Sequence, residues 1–127
     1  MSKKSSKQAG KNGRYIENLI LGYPSNPSNL IDDEKNRTEI KSCQNYYFYY
    51  HHKGIEKKSG NFKIHVEQHK HLLSINGFYL FIVHDIEIQE LTFCKLISAK
   101  NIEIMFNFLT RPLTKHHYFN INWKKLE

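Results

Sequence analysis

Apolar residues recur at helical spacing near the start of the chain and in strand-like runs through most of the remainder. From Tyr15 to Ile20 the apolar positions fit one face of a helix, which Gly22 would end. Residues 23–29 contain two prolines, and proline interrupts a helix. We therefore expect a short amphipathic helix followed by a turn-rich connection.

Strand patterns dominate the next part of the chain. Residues 29–33 and 37–43 are predicted as the two strands of a hairpin, joined by a short polar turn. Aromatic residues, which favour strands, fill the segment 44–52. The segment 54–60 is expected to be an exposed basic loop that leads to a strand over 61–66, which would complete a second hairpin.

The second half of the chain predicts a helix and then a buried strand. The pattern over 67–75 is helical, with Asn76 and Gly77 as its cap. Residues 78–85 are apolar on both faces, which is typical of a central strand. Three more segments follow: predicted strands at 90–98 and 118–126, and the segment 101–109, which the pattern leaves open between helix and strand. This order predicts an α/β (α+β) domain around a central mixed β-sheet flanked by helices.

Length and composition are those of one soluble domain. A chain of 127 residues with 39% hydrophobic and 24% charged residues fits one globular domain, expected over 12–127. Residues 1–11 are polar and basic and are expected to form a disordered arm. No apolar run approaches the ~18 residues of a membrane span, and no signal-peptide pattern is present, so we expect an intracellular protein, cytoplasmic or nucleoid-associated. Cys43 and Cys94 match no zinc spacing and are expected to be free thiols.

The charge of the chain points to a polyanionic partner. Nineteen Lys and Arg residues against twelve Asp and Glu residues give a net charge of +7. Basic domains bind nucleic acids because each neutralised phosphate releases counterions. A coding bias toward Lys, Asn and Ile would produce the same excess, so the charge alone does not establish the partner.

Two stretches contain the residue types that contact nucleic acids. The aromatic residues from Tyr46 to Tyr50 alternate across a predicted strand, so one face is expected to pack in the core and the other to meet nucleic acid. Lys53, Lys57 and Lys58 lie in or beside the predicted basic loop and are candidates for contacts with the phosphate backbone or a groove. An ordinary solvated loop has the same composition.

The first predicted hairpin brings acidic residues and a lysine together. If it turns around a two-residue Lys-Asn turn, Asp32 lies opposite Glu39, and alternation puts Glu39 and Lys41 on the same face. A three-residue turn would bring in Asp33 instead. Two neighbouring carboxylates form a hard oxygen site suited to Mg²⁺, and a nearby lysine orients an attacking water and stabilises charge on a phosphate. A solvated hairpin base is the ordinary alternative.

These residues resemble a known set of motifs. Gly13 and Glu17 form a G-x-x-x-E pattern on the first predicted helix. Asp32 ends a strand, and the next strand has E-x-K as Glu39 and Lys41, although no proline precedes the aspartate. The combination resembles the PD-(D/E)xK nuclease superfamily, which includes type II restriction enzymes, archaeal Holliday junction resolvases and a mismatch-repair endonuclease.

The resemblance implies a restriction-endonuclease-like core and a Mg²⁺-dependent DNA endonuclease, with Mn²⁺ expected to substitute. By position, Asp32 and Glu39 would bind the metal and Lys41 would be the catalytic lysine. Glu17 would bind a water on the metal or a second cation, and Gln68 matches a polar residue that members often place on the helix after E-x-K. Because so small a chain would hold one active site, cutting both strands would require a homodimer. Restriction-type and junction-resolving activities both fit.

Two other interpretations compete with this one. In a non-catalytic nucleic-acid-binding module, the basic surface alone would act and the acids would merely end a hairpin. A zinc site is suggested by His65 and His69, which are four residues apart and so share a helix face. Zinc needs further ligands, however, and His71 lies on a different face of that helix.

Overall fold

The computed structural model describes residues 31–85, 87, 90–111 and 117–127. The strands are β1 (Thr38–Gln44), β2 (Tyr46–His51), β3 (Gly54–Ser59), β4 (Asn61–His65), β5 (Phe78–His84), β6 (Leu91–Ser98) and β7 (Tyr118–Asn122). The helices are α1 (Val66–Ser74) and α2 (Ala99–Phe106), with short 3₁₀ helices at Phe108–Thr110 and Trp123–Leu126. The predicted basic arm, the first predicted helix with Glu17, and the start of the first predicted strand lie outside the described residues.

A mixed three-stranded sheet forms the centre of the described fold, with β5 between β1 and β6. β1 runs parallel to β5, and β6 runs antiparallel to it. Phe81, Ile82 and Val83 of β5 are fully buried, in agreement with the continuous apolar run that predicted a central strand. The predicted α/β (α+β) class with a central mixed sheet is therefore confirmed.

The hydrophobic core includes Tyr79, Phe81 and Val83, which are every second residue of β5 and so share one face of the sheet. Residues of both helices and of the β4–β7 pair complete this core. α1 contributes Val66 and Leu72, which recur at helical spacing. The predicted helix and its cap are confirmed, because Asn76 adopts a left-handed conformation with φ of 54° directly after the helix.

The segment 54–60 was predicted as an exposed loop, and this is wrong. Its first six residues form β3, which pairs antiparallel with β2 from His51 opposite Gly54 to Tyr46 opposite Ser59. Cross-strand contacts with an aromatic strand override the weak strand propensity of Lys and Glu. The second hairpin therefore exists, but its second strand is β3, and β4 pairs with the distant strand β7 instead.

The prediction that one face of the aromatic strand packs in the core is also wrong. Phe48, Tyr49 and Tyr50 are 43%, 47% and 44% exposed, although they alternate between the two faces of β2. The β2–β3 pair lies largely outside the core, so neither of its faces is covered along its outer half. We call β2, β3 and their turn at His52 and Lys53 the ribbon.

In the C-terminal part, one segment that the pattern left open forms a helix, and the last expected strand is shorter than predicted. The segment that the pattern left open contains most of helix α2, which Ser98 caps by accepting a hydrogen bond from the amide of Asn101 at 3.1 Å. The final strand ends at Asn122, because Trp123 and Leu126 turn into the core on a 3₁₀ helix. In the described ranges no helix is both long and apolar enough to cross a membrane.

Candidate active site

A tight turn before β1 brings Asp32 opposite Glu39. The backbone groups of Asp33 and Thr38 exchange two hydrogen bonds of 2.9 Å, and the amide of Arg37 donates to the carbonyl of Glu34 at 3.3 Å. This pairing has the register of a two-residue Lys-Asn turn. Within the described residues the antiparallel pairing is a single bridge rather than a long ladder.

Asp33 faces the turn rather than the cluster. Its carboxylate accepts a hydrogen bond of 3.1 Å from the backbone amide of Asn36 and one of 2.7 Å from the Asn36 side chain. Aspartate side chains commonly stabilise turns in this way. Of the two aspartates that the sequence left open, Asp32 is therefore the one that lies beside Glu39.

The carboxylates of Asp32 and Glu39 each accept a hydrogen bond from a backbone amide at or beside the other residue. Glu39 Oε1 accepts from the amide of Asp32 at 2.9 Å, and Asp32 Oδ2 accepts from the amide of Ile40 at 3.0 Å. Glu39 is only 4% exposed. Burial, followed by the hydrogen bond with the Asp32 side chain, raises the pKa of Glu39 from 4.5 to about 8, although the charge of Lys41 acts in the opposite direction.

Lys41 lies on the same face of β1, two residues after Glu39. Its Nζ lies 3.3 Å from Glu39 Oε2 and donates to Gln68 Oε1 at 3.0 Å, and the Lys41 side chain is 12% exposed. Gln68 comes from α1, so a strand and a helix both fix the position of this ammonium group. A lysine has three N–H donors, and these two described partners use two of them.

The acidic pair offers carboxylate oxygens of the kind that hard divalent cations take as ligands. The described residues contain no group of three or more His, Cys, Asp and Glu side chains that would hold a metal ion. Mg²⁺ usually keeps several waters and takes one or two carboxylates together with phosphate oxygens. A cation between Asp32 and Glu39 would also offset the cost of ionising the buried Glu39.

A buried hydrogen-bond chain beside the cluster was missed by the sequence analysis. Tyr79 of β5 pairs in register with Glu39, and its hydroxyl lies 2.8 Å from His69 Nδ1. His69 Nε2 lies 2.9 Å from Glu103 Oε1 on α2. These two hydrogen bonds therefore link α1 and α2 to β5, the strand that pairs with β1 beside the acidic pair.

The position of His69 explains why its spacing from His65 does not make a zinc site. His69 is 1% exposed, and burial lowers its pKa, which favours the neutral ring between its two partners. His65 ends β4 and precedes the helix, so the two residues do not share a helix face. The signal available in the sequence was that His69 falls on the same helical face as Val66 and Leu72.

The lysines predicted to bind nucleic acid lie on the ribbon. Glu39 is near the start of β1, whereas the ribbon follows the end of β1. Lys57 Nζ is 4.0 Å from the centroid of the Tyr46 ring, and Lys58 Nζ is 4.6 Å from the centroid of the Tyr49 ring. Lys53 is in the turn. The structure therefore separates two regions, an acidic cluster with one lysine and an aromatic ribbon with several.

Comparison with protein families gives a match over nearly the whole chain. A family model described as a PD-(D/E)XK nuclease superfamily domain matches residues 3–126 of this chain. The match confirms the resemblance that the motif residues indicated and extends it over nearly the whole sequence. No curated protein and no solved structure matches the chain.

Proposed function

Because the chain belongs to the PD-(D/E)XK nuclease superfamily, we propose that it is a Mg²⁺-dependent DNA endonuclease with its active site at Asp32, Glu39 and Lys41. The observation that supports this site most is the pair of adjoining carboxylates with the Lys41 ammonium 3.3 Å from Glu39 Oε2. Restriction-type and junction-resolving activities are both compatible with such a site.

Each residue has a distinct role in the proposed reaction. Asp32 and Glu39 would hold the cation, which would supply Lewis acidity at the scissile phosphate. Mn²⁺ is expected to substitute for Mg²⁺ at these oxygen ligands. Lys41, oriented by Gln68, directs the attacking water and stabilises the negative charge that grows on the phosphate. Glu17, which matches the G-x-x-x-E motif with Gly13, would orient water at the site.

The remaining parts of the proposal concern DNA binding and assembly. Lys53, Lys57 and Lys58 contact phosphates from the ribbon, and the net charge of +7 favours binding to a polyanion. One active site per chain cuts one strand at a time, so cleavage of both strands requires a homodimer.

Cleavage of a panel of DNA forms tests this function. Supercoiled plasmid, a four-way junction and single-stranded DNA are incubated with the protein in Mg²⁺, in Mn²⁺ and in chelator. We expect cleavage of at least one form with either cation and none in chelator. Asp32→Asn should abolish cleavage, whereas Asp33→Asn, the same charge change on the neighbouring residue that bonds Asn36, should retain it.

If the wild-type protein cuts none of these forms with any divalent cation, the nuclease proposal is wrong. The alternative, a non-catalytic nucleic-acid-binding module, would then account for the basic surface. Titration of Mg²⁺ into the protein separates the two independently, because the binding module requires no divalent site.

A further inference from the structure

One face of the ribbon exposes apolar side chains from both strands. Phe48 and Tyr50 are two residues apart on β2, so their side chains share one face. Ile55 lies directly opposite Tyr50 on β3 and projects from that same face. They are 43%, 44% and 66% exposed. Large apolar side chains grouped in this way on a surface commonly mark a binding site.

The base of the ribbon is fixed to the core. The amide of Gly60 donates to the carbonyl of Asn45 at 3.2 Å, and the Trp123 indole donates to that carbonyl at 2.7 Å. A side chain at Gly60 would overlap the carbonyl of Gln44, so the close approach needs glycine. The hydroxyl of Tyr46, the first residue of β2, donates to Glu87 at 2.7 Å. The apolar face is therefore presented on an anchored support.

The charges around this face suit a polyanion. Lys57 lies on this face and Lys53 lies in the turn beside it, whereas Glu56, the acidic residue of the ribbon, lies on the other face with Lys58. Lys57 lies opposite Phe48 and shares its face, with its Nζ 4.0 Å from the centroid of the Tyr46 ring, so a cationic and an aromatic group adjoin the exposed apolar side chains. This combination is typical of surfaces that follow a nucleic-acid backbone while they stack on bases.

The chemistry of Phe48, Tyr50 and Ile55 favours one form of DNA over another. Groove edges of a B-form duplex present polar donors and acceptors, with the thymine methyl as the main apolar group, so exposed aromatic carbon gains little there. The faces of unpaired bases are apolar and stack on aromatic side chains.

We infer that Phe48, Tyr50 and Ile55 form a stacking surface for unpaired bases. The substrate is then DNA with a branched or single-stranded segment rather than an uninterrupted duplex. This inference rests on the proposed endonuclease function and specifies its substrate. The six residue steps from Glu39 to Asn45 place the base of the ribbon about 20 Å from the acidic pair, so the unpaired bases bind away from the scissile phosphate.

Binding in chelator tests the inference without cleavage. The probes are a fully paired duplex, the same duplex with a short unpaired bulge, and a forked duplex with two single-stranded arms, at one salt concentration. We expect the wild-type protein to bind the bulged or branched DNA at least about tenfold more tightly than the duplex. Phe48→Ala and Tyr50→Ala should each weaken that binding about fivefold or more, and leave duplex binding within about twofold.

Two further measurements make the result specific. Ile104→Ala, which changes a 64%-exposed apolar residue on α2, is the matched control and should change nothing. A 2-aminopurine base in the bulge should be quenched by the wild-type protein and less so by Phe48→Ala. Equal affinity of the wild type for duplex and bulged DNA, or equal losses on both in the variants, would overturn the inference.

Failure of this inference is distinguishable from failure of the nuclease proposal. A wild-type protein that cuts plasmid with Mg²⁺ but shows no preference for unpaired bases overturns the stacking surface and keeps the nuclease. A protein that prefers bulged DNA through Phe48 and Tyr50 but cuts nothing supports the stacking surface and overturns the nuclease.

Discussion

Replacing Glu39 with glutamine is expected to change the pH dependence of stability in the metal-free protein. Glu39 is 4% exposed, and its pKa is raised from 4.5 to about 8 by burial and then by the hydrogen bond with Asp32. At 1.36 kcal/mol per pH unit, this interval corresponds to about 5 kcal/mol lost when Glu39 ionises in the folded state.

The sign follows from proton binding. A carboxyl group whose pKa is higher in the folded state holds more protons when folded, so the free energy of unfolding falls as pH rises. The stability that depends on protonated Glu39 is complete below pH 4.5 and is lost as pH rises toward about 8. Glutamine does not titrate, so the stability of Glu39→Gln relative to wild type should increase by about 5 kcal/mol across this range.

Urea denaturation in chelator at several pH values measures this difference. Glu67→Gln, which changes a carboxylate on a side chain 79% exposed, is the matched control and should show almost no such trend. Mg²⁺ added at alkaline pH should stabilise the wild type more than Glu39→Gln, because a cation that binds the folded state favours it. A difference between wild type and Glu39→Gln that stays constant with pH would refute the reasoning.

Three further predictions concern the predicted basic arm, Glu17 and the buried hydrogen bonds of His69. Deleting residues 1–11, which contain four lysines, should reduce the slope of log affinity for duplex DNA against log salt by up to about 4, and an unchanged slope would exclude the arm from binding. Glu17→Gln should slow cleavage while folding and DNA affinity stay largely intact, and full activity would remove Glu17 from the site. His69→Leu leaves Tyr79 and Glu103 without their shared partner, so we expect a loss of about 1–3 kcal/mol in unfolding free energy and a kcat that falls more than KM rises. An unchanged kcat would show that the hydrogen bonds of His69 with Tyr79 and Glu103 do not position α1.

The parts of the fold that depend on local patterns were predicted from the sequence. An unbroken apolar run identified β5 as central, and helical spacing with Asn76 and Gly77 identified α1. That an aspartate lies near Glu39 also followed from a short turn, but the sequence left Asp32 and Asp33 open, and the register of the turn in the structure puts Asp32 there.

The parts that depend on distant partners were not predicted. β3 is rich in Lys and Glu, and only its pairing with an aromatic strand makes it a strand. β4 pairs with β7, more than fifty residues away, and no local pattern encodes that choice. The link from Tyr79 through His69 to Glu103 likewise joins three separate elements.

The central claim, that the acidic cluster with Lys41 cuts DNA, is tested most directly by comparing Lys41→Ala with Lys63→Ala. Both variants remove one of nineteen cationic Lys and Arg residues, but Lys41 contacts Glu39 and Gln68, whereas Lys63 lies over the Tyr118 ring on β4. Cleavage is measured with Mg²⁺ and DNA binding in chelator. We predict that Lys41→Ala abolishes cleavage and keeps binding within a few fold of wild type, while Lys63→Ala cuts like wild type. Cleavage by Lys41→Ala at the wild-type rate would contradict the account.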